Sequence, residues 1–120
     1  MDNVIVFGAG NLFLRFMMLK ERYWPELKIS CVCDNNVNLD GYSVLGIPVI
    51  SADKIAENVE KYNAKTVLIV AGRMAGYSIF EQLHSLNLPT EIYGLNEKAF
   101  YSLLNDKNSR GGVEVSILQQ

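Results

Sequence analysis

Apolar positions in this chain gather into short unbroken runs separated by stretches with helical spacing. Val4 to Phe7, Lys28 to Cys33, Gly46 to Ile50, Thr66 to Ala71 and Glu91 to Gly94 are the runs. Their length and lack of alternation predict strands buried on both faces of a parallel sheet. Between them, Asn11 to Trp24 predicts a helix stopped by Pro25, and Ala52 to Tyr62 a second one. In the latter, Ile55, Val59 and Tyr62 share a face, Ser51 is the expected N-cap, and Asp53 complements the helix dipole. Ile79, Phe80, Leu83 and Leu86 mark a third helix ending near Pro89, and Ala99, Phe100, Leu103 and Leu104 a short fourth. Such alternation predicts a single α/β domain: a doubly wound, mostly parallel sheet with helices on both faces and right-handed crossovers. Pro48 suits an edge strand. Val113 to Ile117 alternates apolar and polar residues, which predicts a C-terminal edge strand, a hairpin arm or a subunit contact. Residues 1–95 form the expected core, and 96–120 its C-terminal helix and edge-strand extension.

Gly8-Ala9-Gly10-Asn11 lies directly behind the first strand and opens the first helix, about two dozen residues ahead of Asp34 at the end of the second strand. This is the start of a Rossmann-like βαβ unit, where glycines permit a tight turn and leave phosphate room at a helix N-terminus. Loops at the carboxyl ends of strands beside the topological switch point converge on one crevice. The candidate site is therefore Gly8, Ala9, Gly10, Asn11 and Leu12, with Asp34 and Asn35, and with Ala71, Gly72 and Arg73 from the loop running to Gly76. Asn11 and Leu12 would offer backbone N–H groups to a phosphate, Asp34 would accept from ribose hydroxyls, and Arg73 would supply charge. The structural alternatives are a turn that merely reverses the chain, an Asx turn at Asp34 and a solvated Arg73. Phe13 stands where the fingerprint has its third glycine, so it must point outward or hold the helix farther off.

Hydrophobic residues make up 49% and charged residues 20%, with formal net charge −2; without a basic excess, nucleic acid is excluded as a partner. No apolar stretch approaches a membrane span and no leader pattern opens the chain, so a cytoplasmic location is expected. Cys31 and Cys33, two apart on a strand, share a face and read as small buried hydrophobes. No metal site is expected: His84 is too distant to join them, and the calcium-loop imitation at Asp34, Asn36 and Asn38 lacks its glycine and closing glutamate at Leu39 and Leu45. No Tyr-x-x-x-Lys pair and no general-base constellation is present, so catalytic residues remain unassigned. The first helix is apolar nearly all round, through Leu12, Phe13, Leu14, Phe16, Met17, Met18 and Leu19. Either the C-terminal segment folds back over it or a homodimer or other protein covers it.

Val4 to Gly10, Val32 to Asn36, Gly46 to Ile50 and Val67 to Ala71 together resemble Rossmann-like N-terminal modules of bacterial polysaccharide and glycan-biosynthesis proteins. These are sugar O-acyltransferases, nucleotide-sugar dehydratases and FkbM-type methyltransferase or glycosyltransferase proteins. The resemblance covers about Asn3 to Leu95. It implies a nucleotide sugar or NAD as the small-molecule ligand, held at Gly8, Ala9 and Gly10 with Asp34 as the acidic strand end. It also implies that catalysis resides elsewhere, in an additional transferase or dehydratase domain. The leading expectation is a nucleotide-sugar-binding module of a carbohydrate-modifying protein. An NAD-dependent oxidoreductase or dehydratase fragment and a ligand-free dimerisation domain are the alternatives.

Overall fold

The computed structural model describes residues 3–95 and the backbone of Leu118 and Gln119. Among these residues β1 (Val4–Phe7), α1 (Asn11–Tyr23), β2 (Ile29–Asp34), β3 (Ser43–Val44), β4 (Ile47–Ser51), α2 (Ile55–Tyr62), β5 (Thr66–Ile69), α3 (Arg73–His84), β6 (Glu91–Leu95) and β7 (Leu118–Gln119) follow in order. The sheet runs β3-β4-β2-β1-β5-β6-β7, with β4, β2, β1, β5 and β6 parallel and the two-residue β3 and β7 antiparallel at the edges. This is the doubly wound α/β architecture expected. The chain leaves β1 through α1 to β2, continues outward to β4, then returns through α2 to β5 on the other side of β1. That reversal sets the switch point between β1 and β5.

Two apolar layers sandwich the sheet, because successive side chains of a strand face opposite ways. Val4 and Val6 pack with Val32, Leu68 and the Phe13, Phe16, Met17 and Leu19 side chains of α1. Ile5 and Phe7 pack with Cys31, Cys33, Val67 and Ile69 against Ile55 and Val59 of α2 and Ile79 and Leu83 of α3. All of β1 and β5 is buried. Each large side chain so buried contributes roughly 1.5–3 kcal/mol, so these central strands outweigh any surface ion pair.

Several boundaries depart from the sequence pattern. The second helix opens as a 3₁₀ turn, Ala52–Lys54, before α2 proper. Ser51 precedes it without a side-chain capping bond; its hydroxyl donates to Asp53 instead. Pro48 is not on an open edge, since β3 pairs outside it with Ser43 opposite Pro48. Pro48 is tolerated because the β2 ladder begins one residue later, at Val49. Between β2 and β4 the crossover is a 3₁₀ turn, Val37–Leu39, and a tight hairpin. Asp40 fastens it: one carboxylate oxygen accepts the Ser51 N–H at 2.9 Å and the other the Lys54 ammonium at 2.7 Å. The Lys54 and Ser51 bonds hold the Asp40 carboxyl below its ordinary range. The C-terminal edge strand is β7 at Leu118–Gln119, while the Ala99 to Leu104 helix and the Val113 to Ile117 strand lie outside the described residues.

α1 is less broadly covered than its composition suggests. Phe13, Phe16, Met17 and Leu19 face the sheet, whereas Leu14 is 42% and Met18 69% exposed. At its carboxyl end Trp24 stacks on Phe16 with ring centroids 5.9 Å apart, and Pro25 then forbids another turn.

Cys31 and Cys33 are free and buried. Burial pushes the Cys31 thiol up to about 11 and Cys33 to about 12, the latter aided by neighbouring Cys31, Asp34 and Asp53. The unfolded thiols ionise first as pH rises past their ordinary value of 9.0, so folding stability falls between that pH and the folded values. We expect both thiols to resist a disulfide exchange reagent at pH 8 in the native protein and to react fully in denaturant. In urea titrations from pH 8 to 10.5, Cys33→Ala is expected to lose less stability than the parent.

Candidate functional site

The crevice is built at the carboxyl ends of β1, β2 and β5, and it starts from main-chain geometry. β1 ends at Gly8, whose N–H donates to the Cys33 carbonyl at 2.8 Å, while the Val70 N–H donates to the Phe7 carbonyl at 2.9 Å. Gly8 has φ of +123°, and a Cβ there would collide with the Val70 carbonyl oxygen. Both backbone angle and space demand glycine at this position. Ala9 then turns, and its N–H donates to an Asp34 carboxylate oxygen at 2.9 Å.

Gly10 is a different case. It is the N-cap of α1 with φ −86° and ψ −161°, an extended conformation open to any residue, and nothing lies within 4 Å of where its Cβ would stand. A serine, threonine, asparagine or aspartate here would cap the helix with a side-chain oxygen and stabilise it by about a few tenths of a kcal/mol over glycine, yet the position carries no side chain. The space beside Gly10 is thus kept clear in front of the first N–H groups of α1, among them those of Asn11 and Leu12. No acidic residue sits in the first turn of α1 to neutralise its positive end.

α3 repeats the arrangement across the switch point. Its N-cap is Gly72, again without a side-chain capping bond, and its first turn holds no acid. Arg73, the first residue of α3, is exposed, and no ion pair engages it among the described residues. The 3₁₀ turn after β4, by contrast, carries Asp53. The two unneutralised helix starts therefore flank β1, where an anion would sit.

The structure brings the three predicted segments together and gives several of their residues second duties. Gly8 to Leu12 meets Asp34 through the Ala9 bond, and Gly8 lies against Val70, the residue before Ala71. Asp34 does make an Asx turn, accepting the Asn36 N–H at 2.8 Å, but its other oxygen braces the glycine turn. Asn36 caps the Val37–Leu39 turn by accepting from the Asn38 N–H. Asn35 exchanges two amide hydrogen bonds with Gln82 of α3, at 3.0 and 2.9 Å. Phe13 points inward and is fully buried among Val4, Val6 and Phe16. The missing third glycine is absorbed by the core on that face of the sheet. His84 is exposed and stacks on Phe80, 6.0 Å between centroids, in the last turn of α3. Gln82 and Asp40 escape sequence reasoning because their partners lie 47 and 11 to 14 residues away.

With a glycine turn, an acidic strand end and a switch-point crevice in place, the fold is that of a Rossmann-like domain. No family model matches the chain. Among curated proteins, the redox-sensing transcriptional repressor Rex of Bacillus pumilus (strain SAFR-032) is 29% identical over an alignment of 92 residues that covers 73% of this chain and 41% of the repressor. The chain thus spans less than half of that relative's length. UDP-D-quinovosamine 4-dehydrogenase from Vibrio fischeri superposes with a TM-score of 0.62 at 22% identity, over 78% of this chain and 77% of the other. RSP, a Rex-family repressor, superposes with a TM-score of 0.63 at 11% identity over 87% of this chain and 57% of its own. It is also known in complex with β-NADH, and with β-NAD+ and operator DNA, at TM-scores of 0.61 and 0.60.

These likenesses overturn one expectation. The exclusion of nucleic acid rested on a net charge of −2, but the similar proteins include a transcriptional repressor and one crystallised on operator DNA. Net charge speaks only for the stretch counted, and this chain matches 41% of the repressor. Among the described residues, no helix is long and apolar enough to cross a membrane.

Gly8→Ala is expected to destabilise the protein by about 3 kcal/mol or more, from a left-handed φ combined with a backbone collision. Gly10→Ala should cost less than about 1 kcal/mol, as an N-cap change alone. Chemical denaturation of both variants checks the contrast. Asp34→Ala should lose about 1–3 kcal/mol in the absence of any ligand, because it removes the charge-assisted brace on Ala9.

Proposed function

We propose that this chain is an NAD(H)-binding Rossmann-like domain that serves a redox-responsive DNA-binding regulator in the cytoplasm. The observation that carries the reading is Gly10, a glycine required by neither backbone angle nor protein contacts, standing before an uncapped helix start. A pyrophosphate occupying that space gives the glycine its reason and gives the Asn11 and Leu12 N–H groups a partner. Asp34, held by two backbone N–H groups, keeps lone pairs for ribose hydroxyls. Arg73 and the start of α3 contribute positive potential from the opposite side. Similarity to Rex and to RSP, the latter crystallised with β-NADH, supports NAD(H) as the ligand. The candidate site residues include no His, Lys, Cys or Tyr to move a proton, which favours sensing over turnover. In this reading the chain holds the nucleotide, and DNA contact falls to basic surface elsewhere in the assembly.

A second reading, a nucleotide-sugar-binding module of a glycan-modifying protein, is favoured by the dehydrogenase of UDP-D-quinovosamine, matched over more than three-quarters of both chains. Calorimetric titration with NADH, NAD+, NADPH and a UDP-sugar separates the two. Saturable NADH binding that Gly10→Val abolishes, with no heat from the UDP-sugar, is the expected outcome. Preference for the UDP-sugar establishes the second reading, and no binding by any of them sinks both.

A further inference from the structure

The reciprocal amide pair of Asn35 and Gln82 stands apart from the other polar contacts around the crevice. It joins the residue after Asp34 to the last turn of α3, across 47 residues of sequence, so a side chain far along that helix lies beside the β2 end of the crevice. Its neighbours Asp34 and Asn36 bond backbone N–H groups and shape the loop. Asn35 and Gln82 do neither: each offers a carbonyl and an amine to the other, at 3.0 and 2.9 Å. The pair is exposed and competes with water, so little free energy holds it closed. A carboxamide presents an adjacent donor and acceptor, the complement of the amino group and ring nitrogen on one edge of adenine. Two carboxamides that satisfy each other while the site is empty form a ready reader for such an edge, opened when a base replaces one partner.

We propose that Asn35 and Gln82 form an adenine-reading subsite, closed on itself in the unliganded protein and opened by the base of the nucleotide. This rests on the reading of the crevice as a dinucleotide site, with the ribose at Asp34 placing the base beside the next residue. The amino group of adenine donates to one carboxamide oxygen and the adjacent ring nitrogen accepts from its amine. On the edge that carries N7, hypoxanthine has a carbonyl in place of that amino group and so presents two acceptors, of which one carboxamide can satisfy only one. The subsite therefore selects between bases without touching the phosphates, which remain the concern of Gly10, Asn11 and Leu12.

The test compares NADH with nicotinamide hypoxanthine dinucleotide, reduced form, by titration of the 120-residue protein. The parent protein is expected to bind NADH roughly tenfold more tightly than the hypoxanthine analogue, the size of one bidentate base contact. Of Asn35→Leu and Gln82→Met, the one that removes the carboxamide reading the base should bring the two affinities within about twofold, the other should keep the preference, and neither should move the denaturation midpoint. The paired exchange Asn35→Gln with Gln82→Asn, which preserves the two carboxamides, should restore part of the preference. Equal affinity of the parent for the two dinucleotides overturns the subsite and leaves the dinucleotide reading intact. So does a preference that survives both single variants. If the parent binds neither dinucleotide, the reading of the crevice fails and the subsite with it.

Discussion

At the end of β1 the main chain passes so close to the Val70 carbonyl that no side chain fits, and only a residue free to take φ of +123° can make the turn. The rest of the site hangs on that approach. It keeps β1 and β5 in register up to their last residues, with the Val70 N–H bonded to Phe7, and so fixes where the switch point opens. It also brings Ala9 within 2.9 Å of Asp34, which ties the turn to β2. A side chain larger than hydrogen at Gly8 would push apart the two strands that the crevice separates.

The core and the crevice draw on different chemistry. Burial of Val4 to Phe7 and Thr66 to Ile69 between two helical layers supplies the stability. The polar groups at the strand ends add less in total, although Asp34 is worth about 1–3 kcal/mol, and they align the loops. Asp40 pins the β3–β4 hairpin to the start of the second helix through Ser51 and Lys54, at the sheet edge away from β5. That pairing, part-buried, is present above the ordinary carboxylate range and is lost as acid protonates Asp40. Losing it would loosen the outer crossover before the central strands.

The strand runs and the glycine turn were legible because they are local. Buried strands show as unbroken apolar runs, and Gly8 and Gly10 fall where a βαβ unit needs them. Gly8 and Gly10 look equivalent as letters, however, and only the fold separates a glycine demanded by protein atoms from one that leaves space unused. The Asp34 brace, the Asp40 fastening and the Asn35–Gln82 pair were invisible, since each joins residues brought near by crossovers and leaves no periodic trace. Phe13 misled for a related reason: its burial depends on how far α1 stands from the sheet, which a fingerprint spacing does not encode. Net charge misled because it is a sum over the chain: similar proteins include a transcriptional repressor and one crystallised with operator DNA, although the formal net charge here is −2.

Because the phosphate cradle inferred at Gly10 consists of main-chain amides, most of its chemistry is independent of side-chain identity. Few positions are then under chemical constraint, and the others can change as long as the layers stay filled. Neighbours with 11% to 22% identity keep the same fold. A domain built this way tolerates wide change in sequence while its architecture stands still, so likeness among such domains shows in shape where the letters no longer carry it.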